Sequence, residues 1–284
     1  MQTPKIPKPR QIQICLIPFL VVFVACYFQT FQWLNYKYQG AESYYSHGYL
    51  IPLVSGYLIY QSRRELKGVP LTSQPSGLVL IVTALLLHLM AALADVNFLS
   101  PISMIVYLTG SSLYFFGTAF TARIAFPLFY LVFMCPLPNE YIDVIALPFK
   151  SMATTASLYL IDLIGIPYVR EGFRLHLPTS VFIVGTPCNG MRSLISFLAL
   201  GCLILPFLRT PWWKRAAFLL IIPPISIILN ALRISILLYI ASRYGQEKAQ
   251  PESYLHDASG MFVFIIGVMF ILYLSRRLDG RRSA

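Results

Sequence analysis

The stretch "VFIVGTPCNGMRSLISFLAL" sets Cys188 at the seam between a polar loop and a long apolar run. Two other chemically active residues stand near the ends of apolar runs: Arg233 in "ILNALRISILLYI" and His256 in "SYLHDASGMFVF". A cysteine becomes a nucleophile when a nearby cation, a base or a helix N-terminus favours its thiolate. Cys188, at a predicted helix start, has the last of these. Arg233 carries a permanent positive charge that suits a thiolate or an oxyanion. His256 titrates near neutral pH and can deliver a proton to a leaving amine. Together the three residue types suit acyl transfer through a thioester.

Each has an ordinary alternative. Cys188 also reads as a small buried hydrophobe at a helix start. Arg233 also reads as a snorkelling side chain near a helix end. His256 also reads as a loop histidine paired with Asp257, or Asp257 acts near the helix start. Arg192, four residues after Cys188, would share its helix face and either assist the thiol or bind lipid phosphate. Asn230, one turn before Arg233, either orients it or bonds backbone. His47, in "YYSHGYLIP", is a supporting group or an interfacial histidine. His88, inside an apolar run, reads as a hydrogen-bonded core residue.

The elements that must position these groups are membrane helices. Of 284 residues, 57% are hydrophobic and only 12% charged, and the mean hydropathy is +0.67. A soluble domain is nearer half apolar and a quarter charged. The fold class expected is therefore an all-α polytopic membrane protein, a single integral-membrane domain over 1–284. The net charge of +11 does not point to nucleic acid, because Lys and Arg cluster beside apolar runs as in cytoplasmic membrane loops. The basic-then-apolar N-terminus lacks a small-residue cleavage site and reads as a retained first helix. No CxxC or Cys/His spacing points to a metal or redox site, so neither metal nor cofactor is expected.

A spanning helix needs about 20 mostly apolar residues. Eight candidates fit: 12–29, 46–62, 77–94, 101–118, 124–138, 189–208, 216–240 and 259–275. The stretch 142–165 carries Asp143, Lys150 and Asp162, and polar groups of this kind are costly in lipid; it is expected to be interfacial or partly re-entrant. The basic clusters then all fall on the cytoplasmic side, with both termini inside an inner (cytoplasmic) membrane. If 142–165 crossed fully, the clusters before and after it would lie on opposite sides. On the eight-span reading Cys188 opens an inward-running span at the outer face. Arg233 sits roughly 25 Å up the next span, and His256 lies just outside the last. The three converge at one depth, facing the periplasm or exterior. Before Cys188, "VREGFRLHLPTSVFIVGTP" alternates around an "LPTS" turn and predicts a short outer-face hairpin, able to roof the site and offer an edge to an extended peptide.

In order and spacing, "REGFRLHLP…GTPCNGMRSLISFLALG", "NALRISIL" and "HDASGMFVF" resemble the exosortase/archaeosortase family, as do "SHGYLIPLVSGYLIY" and "YLVFMCPLPNEYIDVIALPFK". The resemblance runs from about residue 44 to 270. It implies a membrane cysteine transpeptidase that cleaves C-terminal sorting signals: a Pro-Glu-Pro-type motif (PEP-CTERM), one transmembrane helix and a basic tail. The family's Cys, Arg and His match Cys188, Arg233 and His256 as nucleophile, oxyanion or thiolate stabiliser, and general acid/base. Where the family often has Cys-Ser-Gly, this chain has Cys-Asn-Gly, so Asn189 joins Arg192, Asn230, His47 and Glu171 as a secondary candidate. The implied partners are membrane-anchored sorting-signal proteins, the lipid bilayer, and an acceptor, lipid or glycan, that the sequence does not name. The alternative reading is a non-enzymatic transporter or polysaccharide-export component, which would line a path at mid-depth with polar groups.

Overall fold

The computed structural model describes residues 9–40, 43–178, 180–185, 188 and 190–279, with backbone alone for 9–16. Of the described residues 78% are helical, with almost no sheet among them. The large exposed residues on its long helices are apolar, among them Val79, Leu93, Val144, Leu163, Ile228 and Met269. Apolar exposure on this scale, unlike scattered surface leucines, marks surfaces that face lipid. The fold is thus an all-α polytopic membrane protein.

Contacts divide the chain into two units, Met1–Leu137 and Pro138–Ala284. In the first, α1 (Pro9–Cys26) and α2 (Phe28–Gln39) meet at a 55° bend. Tyr27 fills the bend: it is fully buried, its hydroxyl is 3.1 Å from Ser103 Oγ, and its ring packs on His88. A 3-10 turn at Ser46–Tyr49 leads into α3 (Leu50–Gln61) and the short α4 (Arg63–Leu66). Next, α5 (Ser76–Leu93) and α6 (Leu99–Arg123) pack side by side. His88 Nδ1 lies 2.7 Å from Ser100 Oγ between them, as expected of a hydrogen-bonded core histidine. The unit ends with α7 (Ala125–Tyr130) and a 3-10 turn at Leu131–Met134.

The second unit opens with α8 (Asn139–Ile164) and a three-stranded antiparallel sheet of β1 (Val169–Glu171), β2 (Arg174–Leu177) and β3 (Ser180–Ile183). The expected hairpin is present, with one further strand. Then come α9 (Met191–Ile204), α10 (Trp212–Leu220), α11 (Ile222–Tyr244) and α12 (Tyr254–Leu278). Helix α11 is central and packs on α8, α9 and α12. Its Ile234, Leu237, Leu238 and Ala241 join Ala153, Leu158 and Ile161 of α8 and Leu175, Phe182 and Val184 of the sheet in one buried cluster that includes Cys188.

Among the described residues, five helical segments are long and apolar enough to cross a bilayer: Ser76–Leu93, Leu99–Arg123, Asn139–Ile164, Trp212–Tyr244 and Gln246–Leu278, with a sixth if the bent α1–α2 pair is one span. Three of the eight expected spans are shorter. The stretch 46–62 yields α3, whose 12 residues rise about 18 Å, well short of a hydrocarbon core about 30 Å thick. The stretch 124–138 stops at Met134: Cys135 turns extended (ψ 109) before Pro136, the conformation favoured before a proline. The stretch 189–208 becomes Met191–Phe207, ending in a 3-10 turn around Pro206.

The largest difference concerns 142–165: of the two expected forms, interfacial or re-entrant, its unbroken helix excludes the re-entrant one. It lies in a continuous 26-residue helix with the length and hydropathy of a span. Its buried hydroxyls are satisfied internally. Thr154 Oγ1 donates to Lys150 O (2.7 Å), Ser157 Oγ to Thr154 O (2.7 Å), and Ser235 Oγ of α11 to Ser157 O (3.2 Å). Hydroxyls bonded in this way no longer cost what bare polar groups cost in lipid. With α8 able to cross, counting basic clusters no longer fixes which side Cys188 faces. Lys5, Lys8, Arg281 and Arg282 of those clusters lie outside the described residues.

The α5–α6 contact depends on two glycines. A Cβ at Gly77 would run into the Tyr114 backbone, and one at Gly110 would meet Gly77 O at 2.9 Å. Backbone atoms cannot step aside as a flexible side chain can. Gly77→Ala and Gly110→Ala are each expected to lose about 1–3 kcal/mol, read as a lower thermal unfolding midpoint in detergent. An unchanged midpoint would contradict this close approach.

Candidate active site

Cys188 lies ahead of α9, at a 3-10 position, not on the helix itself. Gly190 separates the two with φ +79, a left-handed conformation that glycine adopts without strain. A Cβ there would also press on the Asn230 amide, at 3.0 Å. The turn is held from two sides. Cys188 N–H donates to Gly185 O (3.1 Å), and Asn230 Nδ2 of α11 donates to Cys188 O (2.8 Å). Asn230 is itself 5% exposed and Cys188 3%, so the bond joins two buried groups and fixes the thiol's backbone to α11.

Arg233 lies one helical turn beyond Asn230. Its Nη2 lies 2.8 Å from Nε2 of His256, in the first turn of α12. His256 Nδ1 lies 3.1 Å from Ala249 O. A carbonyl only accepts, so Nδ1 carries the ring proton. Nε2 then offers its lone pair to the guanidinium, which only donates. The partners therefore assign a neutral ring with its basic nitrogen on Arg233. The ring does not pair with Asp257: its backbone N–H bonds Ser253 O (3.0 Å), and Ser253 caps α12. Space for the guanidinium comes from Gly260, where a Cβ would sit 3.1 Å from Arg233 Nη2.

Cys188 and His256 line one cleft of about 370 Å³, with Phe182, Ile183 and Gly185 on one side and Gln246, Gln250 and Glu252 on the other. Burial pushes the Cys188 thiol up from its usual range, while Arg233 and then Lys150 pull it back without cancelling the rise. Sequence reading left Lys150 out of the site and treated it only as a cost to α8. The cation in an apolar stretch was the available signal. Glu252, Gln246 and Gln250 carried none.

The secondary candidates fall as follows. Asn230 is in the site. Arg192 is exposed on α9; the left-handed Gly190 breaks the helix between it and Cys188, so a spacing of four does not put them on one face. Glu171, at the end of β1, pairs with His176 Nε2 at 3.2 Å on the exposed side of the sheet. His47 belongs to the first unit, in the Ser46–Tyr49 turn, stacked on Tyr45. Asn189 lies outside the described residues. No group of three or more His, Cys, Asp or Glu suited to a metal occurs among the described residues.

These features define a polytopic membrane protein with a buried thiol, an arginine and a neutral histidine gathered at one cleft. The family model for the transmembrane exosortases matches residues 33–273, and the chain belongs to that family. Its membership supports a membrane transpeptidase or protease role. No curated protein and no solved structure matches the chain.

The raised thiol fixes the sign of a pH dependence. Below its pKa Cys188 is a neutral thiol and slow to alkylate, so the rate climbs as pH rises, with a midpoint above the ordinary value of about 8.5. Arg233→Met removes the larger compensating charge and is expected to move the midpoint higher and slow alkylation at neutral pH. The check is iodoacetamide labelling of the Cys188 peptide followed by mass spectrometry. A rate already maximal at pH 7 would contradict it.

Proposed function

We propose that this exosortase-family protein is a cysteine transpeptidase that cleaves C-terminal sorting signals of membrane-anchored exported proteins, through a thioester on Cys188. The observation that carries this reading is the shared cleft: Cys188 and His256 line it, and Arg233 is bonded to the histidine's basic nitrogen.

The resting set is a neutral thiol beside a neutral imidazole, so the proton must move as the substrate reacts. Cys188 Sγ attacks the scissile carbonyl carbon and its proton passes to His256 Nε2. The carbonyl oxygen becomes an oxyanion. For Nε2 to accept, Arg233 must leave it, and the oxyanion is the partner that draws the guanidinium away. When the C–N bond breaks, His256 returns the proton to the leaving amine, and the acyl group stays on sulfur as a thioester. An acceptor's N–H or O–H then loses its proton to His256 and attacks, which frees the thiol. One guanidinium thereby caps the base at rest and stabilises the negative charge in the transition state.

The cleft also suits an extended peptide. Val184 N–H donates to Phe173 O at 3.0 Å, which prolongs the β2–β3 ladder by one pair. In an antiparallel ladder alternate residues turn their backbone groups to the partner strand. Residues 180, 182 and 184 therefore face β2, and Val181, Ile183 and Gly185 face the free edge. Ile183 and Gly185 line the cleft beside Cys188. A substrate segment adding to this edge would bring its carbonyl toward the thiol by main-chain pairing. A substrate anchored by one transmembrane helix, with its basic tail on the cytoplasmic side, would present its motif at the outer interface. The cleft is accordingly proposed to open to the outside of the inner membrane.

Cys188→Ala is expected to stay folded in the membrane and to stop processing of a co-expressed substrate that ends in such a signal. Normal processing by that variant would sink the nucleophile assignment. Mass spectrometry of the mature substrate separates transfer from hydrolysis: an added group on the new C-terminus supports transfer, a free carboxylate hydrolysis. Labelling of Cys188 in whole cells by a membrane-impermeant thiol reagent tests the outward orientation.

A further inference from the structure

Lys150 lies near the middle of the 26-residue helix α8, where an ammonium is expensive in lipid and needs a partner or a task. No carboxylate pairs with it among the described residues. Its Nζ sits over the Phe173 ring, 4.1 Å from the centroid. A cation desolvated on a ring face is attracted by the ring's quadrupole, and this holds the side chain against the sheet and keeps it from snorkelling to a helix end. Both neighbours lead to the thiol. Phe173 packs on the buried cluster that contains Cys188, and its carbonyl accepts from Val184, four residues before Cys188. On α8, Lys150 belongs to the stripe of Ala146, Ala153, Thr154, Ser157 and Ile161, all buried. Ala153 and Ile161 of that stripe belong to the same cluster as Cys188.

We propose that Lys150, seated on Phe173, is a second cation that stabilises the Cys188 thiolate as it forms, and so is a positioning residue for the reaction. The inference rests on reading Cys188 as the nucleophile. At rest Arg233 is held on His256 Nε2, and it turns to the oxyanion as the C–S bond forms. When the guanidinium turns to the oxyanion, a cation on α8 keeps positive charge beside the sulfur. The electrostatic coupling between Lys150 and Cys188 runs in this direction. The titratable groups that line the cleft with the thiol are His256 on α12 and Glu252 just before it, and the cations that act on it are Arg233 on α11 and Lys150; Arg192 is exposed on α9.

The test is the pH dependence of Cys188 alkylation in the full chain, which needs no substrate. Lys150→Met keeps length and suits an apolar helix. It is expected to raise the midpoint by about half a unit, a roughly three-fold slower rate at neutral pH, with the high-pH plateau unchanged. Lys150→Arg is expected to restore the parent midpoint. Phe173→Leu, which removes the seat and leaves the charge, is expected to raise the midpoint less and serves if the methionine variant does not fold. An unmoved midpoint in either variant overturns the proposal. So does a lowered plateau at an unmoved midpoint, which would mean that Lys150 only props the fold. Failure of the nucleophile reading is visible separately, as processing by Cys188→Ala.

Discussion

A guanidinium on a membrane helix must find its partners inside the protein, because lipid provides none. Arg233 meets this constraint through His256, at 2.8 Å, and much of the second unit follows from it. The bond ties α11 to the first turn of α12. It leaves a histidine nitrogen as acceptor, so the ring is neutral and its Nδ1–H must find its own acceptor, Ala249 O. That requirement draws the Gln246–Ala249 turn against the ring and builds the wall of the cleft opposite β3. One turn before Arg233, Asn230 carries the same logic to the thiol, whose carbonyl it binds. A short run of α11 therefore positions all three groups.

The same constraint explains α8. Asp143, Lys150 and Asp162 make the stretch look too polar to cross a membrane, which is why the sequence suggests an interfacial element. The cost is not paid in lipid. The hydroxyls bond carbonyls on α8 itself and α11 donates across the contact. The lysine rests on an aromatic face. Asp162 lies near the C-terminal end of the helix, where its carboxylate takes a hydrogen bond from Tyr168 OH at 3.3 Å. The stretch has the hydropathy of a span; what a count of polar residues along a chain cannot see is which face each one occupies.

What the sequence made legible is which side chains the second unit gathers. Cys188, Arg233 and His256 were named by residue type and position at the ends of apolar runs, and the second unit gathers them. The hairpin before the thiol was visible as alternation. Three things were not legible. The short helices at 50–61 and 125–130 hide in apolar runs that a window average counts as full spans: a 3-10 turn precedes the first and Ser62 breaks it, and a 3-10 turn before Pro136 ends the second. The i+4 pairing of Cys188 with Arg192 assumed an unbroken helix, whereas Gly190 takes φ +79; a glycine in sequence does not declare the sign of its φ. The partner of His256 was sought in Asp257 next door, but the first turn of a helix points adjacent side chains in different directions, and the ring instead meets a residue 23 positions away.

A cleft built in this way holds its reactive groups in a state that is inert by default. The thiol is buried and its proton is retained. The base is neutral with its lone pair engaged, and the nearest cation is engaged with the base. The resting cations ease ionisation of the thiol without offsetting its burial, and the guanidinium is held on imidazole. Only a carbonyl delivered to the sulfur offers the guanidinium a better acceptor than imidazole, because developing negative charge binds an N–H donor more strongly than a neutral nitrogen does. The exchange of one hydrogen bond then frees the base at the moment its proton acceptance is needed. On the mechanism proposed, selectivity for a bound peptide over water would follow from that coupling, with a substrate held along β3 long enough for Arg233 to change partners.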